Sequence, residues 1–266
     1  MKIIDGFIFY NELKLLKYRL AVLYPVIDHF VLVEATHTFK GNPKRLYFQE
    51  NKDEFKEYLD KIVHVIVEDM PCNQDNINHA RGDAWKNEEH QRNGIARGLE
   101  KLNIGNEDLI LITDVDEIPD PRMISQLRET GISYPILSLK QDMYYYNLHT
   151  QQITPWFWGK LIVYWFYLRN KWTVSDIRKL QNIPFLPRGG WHLSNFGDAT
   201  FIQNKLQQFS HHEYSGERYT NLNTIQSRMD SSSDLFGRPT DVFTRKELKD
   251  NHYLPPRYEE FLSDFL

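Results

Sequence analysis

Apolar residues in the first 140 positions come in short unbroken runs rather than in alternation. The runs Phe7–Tyr10, Phe30–Val33, Ile62–Val67 and Leu109–Ile112 are of this kind, and uninterrupted branched or aromatic residues mark strands covered on both faces. Between the runs the apolar spacing becomes helical. Leu13, Leu16, Leu20 and Leu23 share one face behind Asn11, a capping residue type, and Pro25 ends the segment. A shorter helix is predicted over residues 53–59 and a longer one over 82–102, with Ile95, Leu99 and Leu102 on one face. Gly94 and Gly98 each cost about 1 kcal/mol there relative to Ala, which predicts close packing on that side. Asp120-Pro121 reads as a cap and first-turn proline for a helix through Leu127, and Pro135–Leu139 as a further strand. Strands alternating with helices predict an α/β layered domain with a largely parallel sheet.

Beyond residue 140 the pattern changes. Tyr144-Tyr145-Tyr146, Trp156-Phe157-Trp158 and Tyr164-Trp165-Phe166-Tyr167 are β-favouring, and residues 143–172 carry no helix signal, so antiparallel strands or hairpins are predicted. A glycine-led strand at Gly189–Leu193, helices over 198–209 and 219–229, and a short amphipathic helix at 258–265 complete the chain. No linker or repeat divides it, so residues 1–266 read as one domain with an α/β half (1–140) and an aromatic-rich half (141–266).

Composition narrows the function classes. A net charge of −4 gives no footprint for nucleic acid. The single cysteine, Cys72, excludes an intramolecular disulfide framework and a cysteine-based zinc site. No run approaches about 20 apolar residues and the N-terminus lacks the apolar core of a secretory signal, so a cytoplasmic address is expected. Neither a GxxxxGK[ST] loop nor GxGxxG is present.

The chemistry concentrates where the fourth apolar run stops, in Asp114-Val115-Asp116-Glu117. In extended backbone Asp114 and Asp116 point the same way, and two adjacent carboxylates repel unless a cation lies between them or one is protonated. Mg²⁺ or Mn²⁺ suits such oxygen ligands, and the carboxyl ends of strands are where open α/β sheets hold ligands. Converting either acid to Asn is then expected to leave the ligand-free protein no less stable. The plainer reading is a polar turn after a strand. Trp156, Trp158 and Trp191 are candidate sugar platforms, with core packing as the alternative.

Several stretches together resemble glycosyltransferase family 17, which includes the enzyme adding the bisecting GlcNAc to N-glycans. They are Phe9-Tyr10-Asn11-Glu12-Leu13, Val31-Leu32-Val33-Glu34 with Thr38-Phe39-x-Gly41, and Lys44-x-Leu46-Tyr47-Phe48. Further along come Trp85-x-x-Glu88-x-x-Gln91-Arg92, Asp114–Pro119, Tyr144–Asn147, Gly190-Trp191-His192 and Phe209-Ser210-His211-x-Glu213. The resemblance implies a GT-A type (Rossmann-like) nucleotide-sugar-binding sheet with an aromatic-rich antiparallel second half. It further implies an inverting transfer, a UDP-sugar donor with UDP-GlcNAc favoured, a glycan acceptor, and Mn²⁺ or Mg²⁺.

On that footing Asp114 and Asp116 hold metal and diphosphate, the DxD motif of such enzymes. Glu34 meets uridine or ribose, with a helix-capping or surface role as the alternative, and Arg92 reaches a phosphate or the carboxylates, with a pair to Glu88 on one helix face as the simpler account. For the base that deprotonates the acceptor hydroxyl, Glu213 ranks before Asp198, whose alternative is a plain helix N-cap, and Asp142 also qualifies by position. His192 groups with the catalytic candidates and His211 with the metal ligands, one of the two providing a third contact to metal or diphosphate. Golgi members carry a membrane anchor and stem that this sequence lacks, which suggests a bacterial or viral-type relative. The alternatives are a metal-dependent nucleotidyltransferase or phosphohydrolase, and a carbohydrate-binding protein without catalysis.

Overall fold

Seven consecutive buried residues, Ile3–Phe9, form β1, and β2 (His29–Ala35), β3 (Ile62–Val67) and β4 (Leu109–Asp114) run parallel to it in the order β4-β1-β2-β3. The computed structural model describes residues 1–266. Register pairs Phe9 with Glu34 and Ile8 with Asp114, so these three strands end along one edge of the sheet. Strand β1 starts earlier than its apolar run because Asp5, which interrupts the pattern, is fully buried in an ion pair with Arg19.

Helix α1 (Leu13–Leu23) follows β1, α2 (Tyr47–Glu50) precedes β3, and α3 (Asp83–Leu99) precedes β4. Glu12, not Asn11, occupies the cap position of α1, and its Oε2 accepts from the Tyr10 and Asn11 amides. The helix expected over 53–59 is replaced by 3₁₀ turns at Lys52–Phe55 and Leu59–Lys61.

After β4 come β5 (Glu117–Pro119), α4 (Pro121–Thr130), β6 (Ile136–Tyr145), β7 (Thr150–Trp156) and β8 (Lys160–Val163). Strand β8 inserts antiparallel between β4 and β6, so the two halves of the chain share one mixed sheet. Helices α5 (Tyr164–Asn170) and α6 (Val174–Lys179) occupy a stretch that the aromatic pattern assigned to strands at its start. The overlooked signal for α6 is a reciprocal cap, in which Thr173 accepts from the Asp176 amide and Asp176 from that of Thr173. Strand β9 (Phe185–Ser194) pairs parallel with β6 and antiparallel with β5. Then follow α7 (Ala199–Gln208), α8 (Glu217–Thr220), α9 (Leu222–Asp230), β10 (Phe243–Arg245) and α10 (Tyr258–Phe261). A Rossmann-like parallel block continued by antiparallel strands is the α/β, GT-A type architecture that the resemblance implies.

The sheet separates two apolar layers. One packs α1, α4 and α10 against it, and the other packs α3 and α6. A third cluster of only seven buried residues, including Ile202, Leu206 and Ile225, supports α7 and α9. As the glycine spacing predicts, α3 sits almost on the strands. A β-carbon at Gly94 would lie 2.9 Å from Val33 Cγ1, and one at Gly98 would lie 2.2 Å from Val31 Cγ1. Gly98→Ala is expected to cost about 1–3 kcal/mol through overpacking, despite Ala's better helix propensity. Urea titration checks this, and a variant as stable as wild type would mean that the helix shifts freely.

Candidate active site

The acid-rich turn after β4 is built on a buried guanidinium. Arg19, on α1 and wholly inside, donates to both Asp5 oxygens at 2.9 and 2.6 Å and to Thr113 Oγ1 at 2.5 Å. Its Nη1 donates to the carbonyls of Asp114 (3.0 Å), Val115 (3.3 Å) and Glu117 (2.7 Å). A planar fork of donors thus fixes the backbone of the turn from beneath, with Val115 in the core and the Asp114 and Asp116 carboxylates left to other partners.

Those side chains do not face one another unrelieved, because the protein itself supplies cations. Asp114 Oδ1 accepts from Arg92 at 3.1 Å and Oδ2 from Arg178 at 2.9 Å. Burial would raise the Asp114 carboxyl, but Arg178 and Arg92 outweigh it and hold it below the ordinary carboxylate range. Asp116 Oδ2 accepts from Lys205 at 3.1 Å, and Oδ1 lies 3.6 Å from His192 Nε2. Here too burial is overcome, by Lys205 and then His192, and the carboxyl is held well below its usual value. The expectation that the pair is tolerable chiefly with a bound cation between the two acids is therefore corrected, and with it the expectation that Asn variants are no less stable without ligand.

Glu117, the third acid, is fully buried. Arg178 grips both its oxygens, Trp156 Nε1 donates to Oε1 at 2.6 Å, and Oε2 accepts from the Asp114 amide at 3.1 Å. Arg92 also pairs with Glu88 on its own helix at 2.8 Å, and Glu88 accepts from Ser210. Arg178, Lys205 and Arg19 escaped the sequence reading because none lies in a motif. Arg19 alone left a trace, as a cation on the apolar face of α1 matched by Asp5 within an apolar strand.

The other expected residues fall into two groups. His192 meets Asp116, with its Nδ1 buried and unbonded and its ring 4.5 Å from that of Trp156. His211 lies against Glu213 instead, Nδ1 to Oε1 at 2.7 Å, with its ring 4.5 Å from Trp85. Glu213 is exposed; partial burial would raise its carboxyl's pKa, but the His211 bond, its own backbone amide and the charges of His211 and His212 together lower it. Asp198 caps α7, accepting from the Phe201 amide at 2.7 Å. Glu34 is wholly buried. It accepts from the Phe48 amide at the start of α2 at 3.1 Å and lies near Lys44 and His64. Asp142 accepts from Gln151 at 3.1 Å, and burial raises its carboxyl. Trp191 is fully buried and belongs to the core, whereas Trp158 is 38% exposed beside Trp156.

Lys160, at the start of β8, donates to the Phe157 and Trp158 carbonyls at 2.7 and 3.1 Å and so shapes the loop carrying these aromatics. Burial, helped by nearby Arg178 and opposed by Glu117, pushes its ammonium down to about 7. The unfolded chain keeps that proton up to about pH 10.4, so over the interval it binds more protons than the folded protein. Stability is expected to rise with pH between about 7 and 10, by on the order of a few kcal/mol from this group, with Lys160→Met lacking that component. Thermal melts of the two proteins across the interval test it, and parallel curves would refute it.

No three His, Cys, Asp or Glu side chains converge as a ready-made metal-ligand set. No helix is long and apolar enough to cross a membrane. The family model described as Glycosyltransferase family 17 matches residues 1–259. The beta-1,4-mannosyl-glycoprotein 4-beta-N-acetylglucosaminyltransferase of Rattus norvegicus is 29% identical over 122 residues, 44% of this chain and 22% of the relative. That of Homo sapiens is 30% identical over 113 residues, 41% of this chain and 20% of the relative. The chain spans about a fifth of the length of these relatives. Among solved structures, Staphylococcus aureus TarS 1-349 aligns with a TM-score of 0.43 at 11% identity, over 87% of this chain and 74% of that one. A 4-diphosphocytidyl-2C-methyl-D-erythritol synthase aligns with a TM-score of 0.39 at 15% identity, over 74% of this chain and 89% of that one.

Proposed function

This chain belongs to glycosyltransferase family 17, and from that premise we propose that it moves N-acetylglucosamine from UDP-GlcNAc to a glycan hydroxyl, with inversion and with the help of Mn²⁺ or Mg²⁺. The observation that carries the reading is the acid-tipped β4, held at the carboxyl edge of the parallel strands by Arg19 and ringed by Arg92, Arg178 and Lys205. Such a site pairs a place for a cation with donors for a diphosphate.

The donor set fits a divalent ion at Asp116 rather than Asp114. Both Asp114 oxygens already accept from guanidiniums, whereas Asp116 Oδ1 has the buried imidazole of His192 3.6 Å away. Asp116 and His192 would hold the ion, with Asp114 bound to its arginines as a rigid flank. When bound, the ion supplies Lewis-acid neutralisation of the departing diphosphate. His192 thereby takes the metal-side role first given to His211, and His211 becomes the partner of Glu213.

Arg92, whose Nε is buried and unbonded, is oriented by Asp114 and Glu88 toward donor phosphate. Trp158 and Trp156 offer aromatic faces for sugar on the other flank. Glu213 is the proposed base, exposed and free to exchange His211 for an acceptor hydroxyl. Asp198 is the weaker candidate because its carboxylate already serves the end of α7.

Calorimetric titration of UDP with Mn²⁺ and then with chelator tests the donor and metal together. Binding that depends on the ion supports the transferase, whereas sugar binding without nucleotide would favour a carbohydrate-binding protein. Glu213→Gln is expected to leave UDP affinity unchanged while turnover falls about 10²-fold or more, with Asp198→Asn mild. The reverse ranking, read from initial rates, would move the base to Asp198.

A further inference from the structure

One face of α7 has no assigned task in this reaction. Ile202 and Leu206 belong to the third apolar cluster, while three polar residues of the helix each bond to a loop that follows a different parallel strand. Asn204 Oδ1 accepts from Tyr10 Oη after β1 at 3.0 Å, and Gln208 Oε1 accepts from Asn42 Nδ2 after β2 at 3.1 Å. Between them in sequence, Lys205 Nζ donates to Asp116 Oδ2 after β4 at 3.1 Å. Helix α7 therefore lies across the carboxyl ends of β1, β2 and β4, where an open α/β sheet holds its ligand. Lys205 is the charged member of the three. Its side chain is 22% exposed, and its anionic neighbours are Asp116 and the buried Glu12.

We propose that Lys205 is a diphosphate-binding residue that changes partner when the donor binds, releasing Asp116 and donating to an oxygen of the β-phosphate. The inference rests on the UDP-sugar reading above. Without a ligand, Asp116 needs the ammonium as its counter-charge. With a cation held by Asp116 and His192 that requirement would end, and Lys205 would be left beside the diphosphate. In the transfer, the bond between the anomeric carbon and the β-phosphate oxygen breaks and its electron pair stays on that oxygen. The acceptor oxygen forms the new bond to the anomeric carbon, and its proton passes to the base. Negative charge thus grows on the group that Lys205 faces, so the contact strengthens as the leaving group departs.

The test compares UDP and uridine binding by calorimetry, with Mg²⁺ present, for wild type, Lys205→Met and Lys205→Arg. Lys205→Met is expected to weaken UDP about 10-fold or more and to leave uridine within about twofold, with Lys205→Arg recovering much of the loss. Equal loss of UDP and uridine would assign Lys205 to the fold alone, and unchanged UDP binding would also overturn the proposal. A second measurement needs no variant protein beyond one for assignment. In wild type labelled at lysine Cε, the Lys205 resonance, assigned with Lys205→Arg, is expected to shift with Mg²⁺ plus UDP. It should not shift with Mg²⁺ plus uridine, and the same spectrum with both ligands would refute the contact. Should wild type bind no UDP, the donor reading falls first. If wild type binds UDP and only these differences are missing, this proposal falls alone.

Discussion

Asp116→Asn is expected to lower transfer by roughly 10³-fold or more, because it removes the acid assigned to the cation and the diphosphate's counter-charge together. The same variant is expected to be less stable than wild type without any ligand. Asp116 is buried with Lys205 and His192 as partners, and removing one member of such a group leaves charge inside the protein without its counter-ion. The cost at neutral pH is about 3–5 kcal/mol if Lys205 stays in place, and less if it turns toward Glu12. The pH dependence has a definite sign. The folded carboxyl is held below its unfolded value, so its contribution is complete above that value and is lost on acidification. The stability gap between wild type and variant should thus be constant through neutral pH and narrow only below about pH 4. Urea titrations at pH 7 and in acid read this directly. A variant as stable as wild type at pH 7 would show that Lys205 and His192 do not depend on the acid.

Arg19→Met should have the second largest effect, although Arg19 faces no substrate. It strands Asp5 in the core and removes the donors to the Asp114, Val115 and Glu117 carbonyls. A loss of about 3–5 kcal/mol is expected, together with a fall in turnover as the acid-bearing turn loses its seat. Lys should not substitute, since one ammonium cannot reproduce the fork. The double change Asp5→Leu with Arg19→Met separates the two consequences. It removes both buried charges, so stability should largely return, while turnover should not. Recovery of both in a rate assay and a denaturant melt would show that the turn holds itself.

The parts of this molecule legible in its sequence are those where one local rule suffices. Apolar runs located β2, β3 and β4, the Gly94 and Gly98 pair announced the close seat of α3, and Asp120-Pro121 marked the start of α4. What escaped depends on partners far along the chain. The aromatic block hid α5 because β propensity describes a residue on a pleated surface, whereas Tyr164–Tyr167 form a helix that packs only partly buried against the two apolar layers. The acid pair was visible and Arg92 was expected to reach it, but its two other counter-ions come from distant helices, 64 residues after Asp114 for Arg178 and 89 after Asp116 for Lys205. No spacing rule connects such residues, so a pair that looked short of a cation was already matched with three.

The small apolar cluster beneath α7 has a consequence for cooperativity. The strands bearing Asp114 are embedded in layers of 33 and 15 buried residues, whereas α7 rests on a cluster of seven and crosses the crevice through side-chain polar bonds. An element attached in this way opens at a lower free energy than the whole domain unfolds. The floor of the crevice and its cover therefore belong to different units of local stability. The amides of α7 are expected to exchange with solvent faster than those of β4.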